Sequence, residues 1–125
     1  MEALPAGSPC VVLDVDVRDG LVELVLENVG ERPALEVRVQ LQPTVRALGG
    51  EVDLDRLPLF ERLGVLRPQG CHRVFVDRLA ALLEQGPERF RAAVSCKDER
   101  GRPWSWTYEH DLGAFRGLPG LLRSE

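Results

Sequence analysis

The stretch Val11-Val12-Leu13-Asp14-Val15-Asp16-Val17-Arg18-Asp19-Gly20-Leu21-Val22-Glu23-Leu24-Val25-Leu26 decides the fold. Val11, Leu13, Val15 and Val17 alternate with Val12, Asp14, Asp16 and Arg18, which is the period of a strand with one apolar and one mostly charged face. Asp19-Gly20 supplies the two positive φ angles of a tight type I′ turn. A second strand then runs from Leu21 to about Val29. Val22, Leu24 and Leu26 share one face, and Leu21, Val25 and Val29 join Glu23 and Glu27 on the other. Apolar residues on both sides predict a central strand. A β-hairpin therefore opens the domain.

The same alternation continues downstream. After the turn formers Asn28-Val29-Gly30-Glu31-Arg32-Pro33, Leu35, Val37, Val39 and Leu41 alternate with Glu36, Arg38, Gln40 and Gln42 until Pro43 ends the strand. Residues 51–70 mix apolar positions without a clean period and predict one or two short strands or a helical turn on the sandwich edge. His72 to Val76 reads as another strand. Asp77 is placed as the N-cap of a short helix over residues ~78–85, which Gly86-Pro87 stops. Phe90, Ala92, Val94 and Cys96 form the next inward row, Asp98-Glu99-Arg100-Gly101 turns the chain, and Trp104, Trp106 and Tyr108 share one face of the last strand. The pattern predicts an all-β domain, an antiparallel β-sandwich of about seven strands with one short helix. Its core spans about residues 10–112, and the tail 113–125 lies along the surface or frays.

A chain of 125 residues and 13.9 kDa is one domain of ordinary size. Its apolar fraction of 44% and charged fraction of 29% place it among globular and not disordered chains. Of the 16 basic residues Lys97 is the only lysine, and Asn28 is the only asparagine. That skew fits a GC-rich genome or a thermophile. Cys10, Cys71 and Cys96 are an odd number without CxxC spacing, which predicts free thiols in a reducing compartment. The N-terminus has no signal-peptide pattern and no stretch is long and apolar enough for a membrane helix, so the chain is expected to be cytoplasmic.

Three stretches resemble a known family. Leu26-Glu27-Asn28-Val29-Gly30-Glu31-Arg32-Pro33-Ala34-Leu35-Glu36-Val37-Arg38-Val39 is similar to the N-x-G…A-x-x-V-x-V passage of CARDB-like bacterial immunoglobulin-like modules. Leu66-Arg67-Pro68-Gln69-Gly70 resembles their L-x-P-G loop, with Gln69 interrupting it. Val94-Ser95-Cys96-Lys97-Asp98-Glu99-Arg100-Gly101 resembles their final hairpin, with Cys96 in place of an aromatic. The helix over 77–86 and Leu57-Pro58-Leu59-Phe60 depart from that pattern and look closer to an uncharacterised bacterial group. The resemblance covers about residues 10–112. It implies an immunoglobulin-like sandwich and an adhesion or accessory role, and it carries no catalytic residues.

Few residues offer chemistry. Cys71, His72, Cys96 and His110 are donors that zinc accepts, yet Cys71 and His72 point to opposite faces of one strand, so no metal site and no cofactor is predicted. The four serines lack a Gly-x-Ser-x-Gly elbow, and no phosphate loop exists. Asp53-x-Asp55 lacks the rest of a calcium loop. The net charge of −4 disfavours nucleic acid. Arg89, Arg91, Lys97, Arg100 and Arg102 around one hairpin could meet an acidic partner, or be a surface balancing Glu88, Asp98 and Glu99. Trp104, Trp106 and Tyr108 read first as core and otherwise as a contact face.

The expected function is that of a noncatalytic protein-interaction or accessory module, not an enzyme. Its binding residues would be Trp104, Trp106, Tyr108, Arg89, Arg91, Arg100 and Arg102, and its partner a protein. The first strand, the 51–66 region and the last strand are candidate edges for a partner or for homo-oligomers. The alternatives are a carbohydrate or small-ligand domain using the aromatic face, and a metal-dependent enzyme built on the cysteines and histidines.

Overall fold

The computed structural model describes residues 7–116. Strands β1 (Val11–Arg18) and β2 (Leu21–Asn28) form the expected hairpin, with φ of 53° at Asp19 and 77° at Gly20 in its turn. They are followed by β3 (Ala34–Gln42), the two-residue strands β4 (Arg46–Ala47) and β5 (Val52–Asp53), a 3-10 turn (Leu54–Arg56) and the four-residue helix α1 (Pro58–Glu61). Next come β6 (Leu63–Leu66), β7 (Cys71–Arg78), α2 (Leu79–Gln85), β8 (Arg89–Lys97), β9 (Pro103–Asp111) and a 3-10 turn at Leu112–Phe115. One sheet has the order β1-β2-β7 and the other β6-β3-β8-β9, every pairing being antiparallel. The fold is an all-β sandwich whose seven longer strands build both layers. β2 is central, as its two-sided apolar pattern predicts.

The core lies between the sheets. Leu13, Leu24 and Leu26 from one layer and Val37, Val39, Ala92 and Val94 from the other are all buried. Alternation places these residues inward, and burying a Val or Leu side chain contributes roughly 1.5–3 kcal/mol. In β3 Val37, Val39 and Leu41 face inward as expected, and only the start of the strand differs. Glu36 has φ 52°, and the register of β3 on β8 shifts between Leu35 and Arg38. This bulge turns Ala34 inward and leaves Leu35 only partly buried, opposite exposed Val65.

Helix α2 lies where expected and ends at Gly86 with φ 74°, but Asp77 does not cap it. Strand β7 runs on to Arg78, which is the N-cap residue without a side-chain cap bond. The Asp77 carboxylate instead accepts the N–H groups of Gly49, at 2.8 Å, and of Arg78. These bonds hold its pKa below the ordinary value, Gly49 contributing most. Asp77 thus ties the 48–50 turn to β7, a long-range use that local capping statistics do not contain. At the C-terminal end the 3-10 turn brings Phe115 against the core, where a surface tail was expected; residues 117–125 lie outside the described part of the chain.

Residues 51–66 pack on an edge, as expected. β6 pairs only with Ala34–Val37, and the remaining edge of β3 is covered by α1, whose Phe60 is fully buried. Asp55 completes that cover. Its Oδ1 accepts the Leu41 N–H at 2.8 Å and its Oδ2 the Thr44 hydroxyl at 3.2 Å. Asp55→Ala is expected to cost about 1–3 kcal/mol, because it strips the partner from a covered strand N–H. Asp55→Asn, which keeps an acceptor oxygen, is expected to recover most of that loss in urea melts.

Candidate functional site

The β8–β9 hairpin carries all seven candidate binding residues. Its register is unbroken from Arg89↔Asp111 to Lys97↔Pro103. Phe90, Ala92, Val94 and Cys96 are buried on its inner side, beside half-buried Trp104, Trp106, Tyr108 and His110. The three aromatics of β9 pack against the core, so the reading as core holds for their inward face. Trp104 and Trp106 stack at 6.4 Å with an interplanar angle of 12°, and His110 lies 5.3 Å from the Phe90 ring.

Two of these side chains join the sheets. The Tyr108 hydroxyl donates to the Val11 carbonyl at 2.7 Å, and His110 Nε2 lies 2.9 Å from the Leu13 carbonyl. A carbonyl only accepts, so Nε2 carries the proton. Both carbonyls belong to the free edge of β1. The Val15 N–H on the same edge donates to Asp14 Oδ1 at 2.8 Å. The first strand, a candidate edge, is an edge of its sheet, with three outward groups engaged by side chains of the same chain. Burial pushes the Tyr108 hydroxyl up to about 12. Burial likewise pushes the Cys96 thiol up to about 11, which leaves it without thiolate character at neutral pH.

The cations do not converge. Arg89 and Arg91 lie at one end of β8, paired with Asp111 and Glu109 at 3.4 Å each. Arg100 and Arg102 lie in the loop at the other end, and eight strand steps separate the two ends by about 27 Å. Lys97 pairs with Glu36 at 3.7 Å. The alternative in which Arg89, Arg91, Lys97, Arg100 and Arg102 cluster to meet an acidic partner is thus split by strand length, which adjacency along the hairpin hides.

Asp98 organises the loop between β8 and β9. It accepts the Trp104 Nε1–H at 3.0 Å and the N–H groups of Arg100 and Arg102 at 2.8 and 3.0 Å. These bonds, with Trp104 first, hold its carboxyl below the ordinary value of 3.8. A depressed folded pKa adds stability above the unfolded value, and that stability is lost as pH falls through the folded one. Acidification below about pH 4 is therefore expected to shift tryptophan emission in the native protein. Asp98→Ala is expected to remove that step; an unchanged acid titration of fluorescence would refute the assignment.

The soft donors also stay apart. Cys71 is exposed on β7 with His72 beside it, Cys96 is buried in β8, and His110 is engaged with β1. All three thiols are free, and among the described residues no three of His, Cys, Asp or Glu come close enough to share a metal ion. Open clefts lie between the described elements. One of about 780 Å³ runs along β3 beside Arg38, Gln40, Asp55 and Glu61; another, of about 760 Å³, has an apolar floor of Leu21, Leu79, Leu83 and Phe115 with Asp19, Arg78, Glu84 and Arg116 also lining it.

One further polar side chain, Asn28, gathers backbone groups from several segments. Asn28 is fully buried. Its Oδ1 accepts the Cys10 and Gly30 N–H groups at 3.2 and 2.9 Å, and its Nδ2 donates to the Arg32 and Leu66 carbonyls at 2.8 and 3.0 Å. The signal was present, since Asn28 is the sole asparagine and opens the N-x-G turn.

Among the described residues no helix is long and apolar enough to cross a membrane. Neither the curated proteins nor the solved structures contain a match to this chain. One family model does match, over residues 4–116, and with nearly the whole chain covered the protein belongs to that family, a domain of unknown function designated DUF8453.

Proposed function

We propose that this domain is a noncatalytic protein-interaction or accessory module. One observation carries the reading: six polar side chains of the kind that chemistry uses are engaged in holding backbone together. Asp55, Asp77 and Asp98 hold turn and strand N–H groups, Asn28 holds four backbone groups, and Tyr108 and His110 hold the edge of β1. The strand order 1-2-7 facing 6-3-8-9, with the Asn28-Val29-Gly30 turn between the sheets, supports placing the domain beside the bacterial immunoglobulin-like modules. Three free thiols support a reducing, intracellular setting. The test is affinity capture from the native host, followed by reconstitution with the purified candidate partner. A stoichiometric complex that forms with the purified pair supports the reading. Turnover of a substrate by the domain alone, abolished by a point substitution that leaves it folded, would overturn it.

A further inference from the structure

An antiparallel sandwich leaves edge strands whose outward N–H and C=O groups can template another strand, and proteins usually guard them. Four edges arise here: β1, β7, β6 and β9. On β1, Tyr108, His110 and Asp14 occupy outward groups. On β7, a bulge opposite Val22/Glu23 and the Leu48 N–H bonded to the Val76 carbonyl at 3.0 Å interrupt the edge, and Arg73 stands at its middle. β6 has only four residues.

β9 has nine residues, no bulge, and no strand hydrogen-bonded to its outer edge among the described residues. The phase of its ladder follows from the two ends. The Leu112 N–H donates to the Glu88 carbonyl at 2.7 Å, and Pro103, which has no N–H, pairs with Lys97 at a position that exchanges none. Alternation then directs Trp104, Trp106, Tyr108 and His110 backbone groups to β8, and turns those of Ser105, Thr107 and Glu109 outward. All three residues are exposed.

We propose that β9 pairs antiparallel with β9 of a second copy of this chain, about a two-fold axis at Thr107, joining two four-stranded sheets into one of eight strands. In this register Thr107 faces Thr107 of the partner subunit, and Ser105 faces Glu109 of the partner subunit, so three outward N–H and three outward C=O groups on each chain are satisfied. No like charges meet across the axis. The outer face gains a Thr–Thr pair, and the inner face sets half-buried Trp106 opposite Tyr108 of the partner subunit, both pair types that stabilise sheets. The same self-pairing on β7 about Arg73 would oppose two arginines. The proposal does not depend on the interaction-module reading, since a partner-binding domain can be a monomer or a dimer.

The test is the mass of the purified full chain by light scattering over a concentration series, with circular dichroism to confirm folding. The expected result is a shift toward twice the 13.9 kDa chain mass as concentration rises. Thr107→Lys sets two like charges at the axis, and Thr107→Pro removes an N–H that faces away from β8; both are expected to hold the mass at one chain. Phe75→Lys, on the β7 edge, is expected to leave the dimer unchanged. A wild-type chain that stays at one chain mass up to millimolar concentration overturns the proposal. So does a dimer that survives in both folded Thr107 variants, or one that Phe75→Lys dissociates.

Discussion

Asn28→Ala is expected to cost about 3–4 kcal/mol of stability in urea melts. The side chain joins the lead-in to β1 through Cys10, the β2–β3 turn through Gly30 and Arg32, and the end of β6 through Leu66. Alanine leaves two N–H and two C=O groups without that partner around a site that is fully buried in the native protein. An unsatisfied buried group costs roughly 1–3 kcal/mol, and partial access of water to three of the four keeps the total below the simple sum. Asn28→Asp is the more specific test. It keeps the acceptor and replaces Nδ2 with an oxygen facing the Arg32 and Leu66 carbonyls. Burial and those carbonyls oppose the charge, so the aspartate pKa is raised in the folded state. With more protons bound folded than unfolded, stability falls as pH rises above the unfolded value of about 3.9. The aspartate variant is therefore expected to be nearer the wild type at pH 4 than at pH 7. An aspartate variant equally stable relative to wild type at both values would show that the two donated bonds do not matter.

Gly30→Ala is expected to cost about 2–3 kcal/mol through a different mechanism. A Cβ on Gly30 would meet the backbone of the N-terminal lead-in: the Ser8 carbonyl oxygen, the Cys10 amide nitrogen at 2.5 Å and the Pro9 carbonyl carbon at 2.7 Å. These are main-chain atoms, so no side chain can swing aside. The lead-in must move, which strains the Glu31 N–H bond to the Ser8 carbonyl at 3.0 Å and the Val29 N–H bond to the Cys10 carbonyl at 2.8 Å. Faster amide exchange is expected at Val29 and Glu31. Gly64 on β6 has nothing within 4 Å of its added Cβ, so Gly64→Ala is the matched control and is expected to change stability by less than about 0.5 kcal/mol. Equal effects of the two alanines would reject the close-approach account.

These two positions explain the N-x-G turn in physical terms. The asparagine is needed because one carboxamide has both donors and acceptors, and three chain segments end around it with backbone groups unpaired. The glycine is needed because one of those segments, the lead-in at Ser8, Pro9 and Cys10, passes so close that a Cβ would meet its backbone. Spacing along the sequence reveals that a turn is present, but not which distant segments it gathers.

What was legible in the chain follows from short-range physics. Alternation of side chains across a strand has a period of two, so the inward rows of β1, β8 and β9 could be read directly, and Asp19-Gly20 marked its turn because few residues accept two positive φ angles. Helix α2 was marked by its apolar spacing and its Gly86 stop. Tertiary structure alone decided the rest. Glu36 takes a positive φ where the register of β3 shifts on β8 and stays constant on β6, a pairing between distant segments. Asp77 abandons a helix cap for the Gly49 N–H, since a turn 28 residues away arrives beside it. Tyr108 and His110 hold β1 across 97 residues of sequence. Periodicity is a property of neighbours along the chain, whereas the satisfaction of buried backbone groups depends on which segments the fold brings together. The sequence by itself determined that this protein is built of alternating strands; only the packing of the two sheets determined which strands lie at the edges and which side chains engage them.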